Sequence, residues 1–179
     1  MHFTRQANRQ LTLASLLAAL ALSSAPLASA STPTVMTCTG YGTQTHTPGL
    51  TLVTQPTSIT GSSLIGPCLG SDLVDSGTTS GTATAQASCL IGLTSTTTST
   101  ITWKKNGEVV GTSKFTAQNV TTRTLGQTIA VSDGTITEGL FNGAHARRVI
   151  TFVTFDLAGC VGTGISSIAG PLELVVTGI

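Results

Sequence analysis

The chain has 179 residues, of which 8 are Lys or Arg, 7 are Asp or Glu and 3 are His, so its formal net charge is +1 and charged residues make up 8% of it. So few cations, with no basic stripe, exclude nucleic acid as a partner, because phosphate binding needs clustered Lys and Arg. The length bounds the chain to about one domain.

Residues 1–30 read as a signal peptide. Arg5 and Arg9 supply a positive start, LTLASLLAALALSSAPL is apolar but too short and too rich in small residues for a membrane span, and Ala28-Ser29-Ala30 offers a cleavage site after Ala30. There is no twin-arginine pair, which favours the general secretion route, and no cysteine just after the site to take a lipid anchor. Residues 31–179 then form a single secreted domain with no transmembrane segment. Without Arg5 and Arg9 this part carries six cations against seven carboxylates, a net charge of −1. Solubility must come from hydroxyls. Threonine is β-branched and suits a pleated, half-exposed surface, so abundant Thr, Val, Ile and Gly predict an all-β domain.

Cys38, Cys68, Cys89 and Cys160 all lie in the exported part. An even count in an oxidising compartment implies two disulfides among three possible connectivities. The pairing Cys38–Cys68 and Cys89–Cys160 is favoured: the first holds the N-terminal segment together, and the second ties the Trp103 region to the strand near the C-terminus. With no C-x-x-C and no histidine at ligand spacing from a cysteine, no metal site or other cofactor is expected.

In chain order, Thr34 to Thr39 reads as a short strand, Pro48-Gly49 as a turn, and Leu50 to Thr54 as a strand broken by Pro56. Ser63 to Leu69 is a further strand, Ser71 to Gly81 a polar loop, and Thr82 to Leu93 a strand. Asn106-Gly107 is the best hairpin signal, since both residues tolerate the positive φ of a type I′ turn. Closing it sets Lys105 opposite Glu108 and Trp103 opposite Val110, and places Trp103 and Val110 in the core with Phe152 and Phe155. Val120 to Val131 is read as a strand, with turn signals at Asp133-Gly134 and Asn142-Gly143. A tight turn at the second would align Glu138 with Arg147 and Ile136 with Val149. Arg147 to Leu157 is apolar on both faces, as a covered central strand would be. A last strand, LELVVT, points Leu172, Leu174 and Val176 inward.

Short strands separated by turn residues predict an antiparallel β-sandwich, immunoglobulin-like or related. The spacing of Cys89, Trp103 and Cys160 resembles the immunoglobulin pattern of a tryptophan packed on a disulfide, although Ala158 stands where the corner tyrosine would be. The phrases Thr37-Cys38-Thr39-Gly40, Thr47-Pro48-Gly49-Leu50-Thr51, Gly66-Pro67-Cys68, Ser88-Cys89-Leu90 and Ile101-Thr102-Trp103 resemble those of small exported proteins of actinobacteria. That resemblance implies origin and export and carries over no catalytic residue.

Groups able to carry chemistry are few. His145, Arg147 and Arg148 follow the Asn142-Gly143 turn and could together hold an anion. Tyr41, between two glycines, could stack on a sugar face. His46 lies in a Thr-rich stretch and is read as a surface residue. Asn119-Val120-Thr121 fits a glycosylation sequon. There is no Gly-x-Ser-x-Gly elbow. These observations lead to a secreted, non-catalytic structural or binding protein with an unknown extracellular ligand or surface as its partner. A small-molecule carrier and a protease inhibitor are the alternatives.

Overall fold

The computed structural model describes residues 35–90, 93–124, 127–153 and 157–178. The segment read as a signal peptide and the expected core residue Phe155 lie outside them. The strands are β1 (Val35–Leu50), β2 (Gln55–Leu69), β3 (Ser76–Ala87), β4 (Thr94–Lys105), β5 (Glu108–Thr124), β6 (Gln127–Gly139), β7 (His145–Val153) and β8 (Ile165–Thr177), with a short helix α1 (Leu157–Val161) before β8. Each strand pairs antiparallel with the next, and β1 pairs with β8 from Val35↔Thr177 to Leu50↔Ile165.

The sheet is therefore a closed barrel and not the sandwich expected from the sequence. Reading Gly, Pro and Asn as terminators produces short strands. Here Pro48-Gly49 lies inside β1, Pro67 inside β2, the supposed loop residues Ser76–Gly81 open β3, and Asp133-Gly134 sits in mid-β6. Strands of up to 17 residues carry enough right-handed twist for the last to come round to the first, and closure removes the edges that a sandwich would leave. Gly134 shows what its residue type is for: a Cβ there would stand 2.0 Å from the Thr116 carbonyl oxygen. The glycine admits β5 next to the bulge between Lys114 and Phe115 instead of making a turn.

The Asn106-Gly107 turn forms with φ of 52° and 87°, both in the left-handed region. Lys105 faces Glu108 as expected, but a bulge between Trp103 and Lys104 sets Trp103 opposite Gly111. Val110 is consequently 46% exposed and does not belong to the core. The Asp75 carboxylate clamps the turn by accepting from the Asn106 amide at 2.6 Å and from Ser76 Oγ at 2.8 Å. The Asn142-Gly143 signal marks a real but wider connection, residues 140–144, and Asp133 rather than Glu138 falls opposite Arg147. Glu138 instead meets Lys114 Nζ at 2.7 Å on the outer surface.

Side chains alternate in and out along every strand, so the barrel fills in tiers. One end is apolar. Trp103, Phe115, Met36, Ile101, Ile136, Leu174 and Val176 are buried there, beside the Cys38–Cys68 disulfide, and Phe152, further along β7 past Ile150, belongs to the same cluster. The Trp103 indole donates to Ser113 Oγ at 2.8 Å, Ser113 donates to the Leu140 carbonyl, and Phe141 meets the indole edge-on with ring centroids 5.5 Å apart. At the other end Leu50, Ala87 and the Cys89–Cys160 disulfide form a second, smaller cluster. Trp103 thus shares its cluster with the other disulfide, and the immunoglobulin arrangement is absent.

The disulfides close loops across sequence separations of 30 and 71 residues. Replacing Cys89 and Cys160 together by serine is expected to lower unfolding stability by about 4 kcal/mol on the chain-entropy account. Replacing Cys38 and Cys68 should lower it by slightly less. Urea denaturation of the two double variants against the parent measures both.

Candidate binding cavity in the barrel

Between the two apolar ends the inward positions carry small or polar side chains: Gln44 on β1, Gly61 and Ser63 on β2, Thr79 and Gly81 on β3, Ser95, Thr97 and Ser99 on β4, Asn119 on β5, Ser132 on β6 and Arg148 on β7. They surround a cavity of about 150 Å³, with Ile59, Ala83, Leu93, Ala130 and Ile150 as its apolar patches. An eight-stranded barrel is just wide enough for large side chains to fill or for one small ligand to enter. Hydroxyls and glycines are too short to meet across it.

The cavity opens sideways. The β3–β4 ladder runs from Ser76↔Lys104 to Ser80↔Thr100 and stops. Beyond it, β3 continues to pair with β2 and β4 with β5, so residues 81–87 and 94–99 part from each other. Thr82 and Thr98 line the resulting gap.

One hydrogen-bonded chain crosses the cavity wall. Arg148 Nη2 donates to Ser132 Oγ at 3.1 Å, Ser132 Oγ donates to Asn119 Oδ1 at 2.6 Å, and Asn119 Nδ2 donates to Thr97 Oγ1 at 2.8 Å. Burial alone pushes the Arg148 guanidinium below its ordinary pKa. Its Nε and the hydroxyl of Thr79, also on the cavity wall, are buried without a protein partner. Arg148 Cζ stands 6.0 Å from the Phe115 ring centroid, within cation–π range. Among the described residues, none lining the cavity is acidic, and Arg148 is the one ionisable side chain there.

The triplet read as one anion site is split by strand alternation. His145 and Arg147 face outward, where Asp133 hydrogen-bonds His145 at 3.0 Å and forms a long ion pair with Arg147 at 3.9 Å, while Arg148 turns into the barrel. His145 and Glu138 are not brought together. Tyr41 is 49% exposed and lies on the outer face, beside open depressions over β1 to β4. Asn119, read as a sequon, faces inward with its amide engaged. His46 corrects the surface reading, being only 4% exposed with Nδ1 unpartnered by protein. Burial, then the charge of Arg123, lowers its pKa to about 4. The one signal that could have revealed Asn119, Ser132 and Arg148 is their inward register, which cannot be counted off without knowing where the bulges fall.

The fold and cavity together define a closed antiparallel β-barrel with a polar, laterally open interior. Among solved structures, the chain is similar to a pterocarpan synthase dirigent protein at 15% identity, over 82% of this chain and 89% of that one, with a TM-score of 0.48. No family model and no curated protein matches it.

His46 makes stability depend on pH. Its folded pKa of about 4 lies below the unfolded value of 6.5, so the folded state resists a proton that the unfolded chain accepts. That contribution is complete above pH 6.5 and is lost as the pH falls towards 4. Melting temperatures across this window should fall less in His46→Gln than in the parent. Parallel curves would remove the assignment.

Proposed function

We propose that this protein is an exported, non-catalytic barrel that holds a small molecule in its interior, the carrier alternative of the sequence reading. The observation that carries it is the cavity of about 150 Å³ that opens where β3 and β4 part. Binding sites of this kind are concave, largely preformed and lined by apolar surface with a few placed polar groups. Acid–base chemistry needs a donor and an acceptor within reach of one substrate atom, and among the described residues the lining holds no His, Cys, Asp, Glu or Lys to serve. That lining supports binding over turnover. Export is supported by the signal-peptide reading of residues 1–30, by the two disulfides, and by the resemblance to exported actinobacterial proteins. No helix among the described residues is long and apolar enough to cross a membrane.

A ligand-observed NMR screen of small neutral and charged fragments tests the reading. The parent is expected to bind a subset of them, and Ala83→Phe, which places a ring in the mouth, should abolish that binding while keeping the parent far-ultraviolet circular dichroism. Binding that survives the plug, or a parent that binds nothing, would defeat it.

A further inference from the structure

We infer that the interior ligand is a small monocarboxylate, its carboxylate held by the Arg148 guanidinium and its apolar body lying against Ile59, Ala130 and Ile150. This deepens the binding reading above and rests on it. A guanidinium inside a barrel is costly to keep without a counter-charge, and it is usually found paired. Among the described residues it hydrogen-bonds to one neutral hydroxyl, with Nε unmatched, and none that lines the cavity around it is acidic.

The described carboxylates are used elsewhere or lie outside. Asp133 faces His145 and Arg147, Glu138 faces Lys114, and Asp75 holds the Asn106 turn. Asp72, Glu108 and Glu173 are exposed. A planar guanidinium presents parallel N–H groups that match the two oxygens of a carboxylate. One cation on the wall fits one negative charge, whereas a phosphate dianion would call for more. Asn119 and Ser132 act as positioning residues, since the chain from Thr97 through both of them fixes the guanidinium on its Nη2 side.

Isothermal titration of the full-length exported protein with benzoate, benzamide and inorganic phosphate tests this, with thermal melts run in parallel. Benzoate should bind at least tenfold more tightly than isosteric benzamide and raise the melting temperature, and phosphate should do neither. Arg148→Met should lose at least tenfold in benzoate affinity, keep whatever benzamide affinity the parent has, and melt without ligand no lower than the parent. Arg148→Lys keeps the charge and loses the fork, so it should also lose benzoate affinity while staying folded. Equal affinity for benzoate and benzamide would overturn the carboxylate assignment and leave the binding barrel standing. Binding of phosphate in place of benzoate would overturn it likewise. A ligand-free Arg148→Met that melts far below the parent would make the arginine structural and end the proposal. If benzoate, benzamide and the fragment screen all fail on the parent, the binding reading itself is lost.

Discussion

Closing eight strands into a ring fixes how much space lies inside, and every second residue of every strand must help to fill it. Nothing else in this chain sets so hard a constraint. Where the inward residues are Trp, Phe, Met, Ile and Leu, the interior is packed and dry. Where they are Ser, Thr, Gly and Asn, the same radius leaves room. The cavity is thus a direct consequence of side-chain size on a backbone whose diameter is already decided by strand number and tilt.

The same constraint explains why stabilising elements gather at the two ends. The indole of Trp103, its hydrogen bond to Ser113 and the edge-on ring of Phe141 close one end. The Cys89–Cys160 disulfide, with Leu50 and Ala87, secures the other, where β3 and β4 have separated and backbone pairing no longer holds the wall together. A covalent tie at the parted end lets the gap exist without the barrel unravelling from it. Buried Ser63, Thr79 and Ser132 lie in between, where a fold devoted only to stability would have placed methyl groups.

Much of the fold was legible in particular residues. The all-β class follows from Thr-rich alternation, the Asn106-Gly107 turn from two residues that accept positive φ, and the inward Leu172, Leu174 and Val176 from their period of two. The misplaced turns share one cause. Pro48-Gly49 and Asp133-Gly134 have the chemistry of turns but lie within strands, because in a strongly curved sheet glycine also serves close approach between neighbouring backbones. The bulge at Trp103 then moved Val110 out of the core by a single residue of register.

The sequence by itself determined the strand-forming composition, the four cysteines and the scarcity of ionisable groups, since each is a property of residue type. Only the tertiary structure decided that the sheet closes, that Arg147 and Arg148 part to opposite faces, and that Asn119, Ser132 and Arg148 meet across a cavity. Those outcomes depend on which strand pairs with which, and on bulges that invert a side chain's direction by one position. Neither is encoded in any local pattern; both arise when eight separated segments settle against one another around a shared interior.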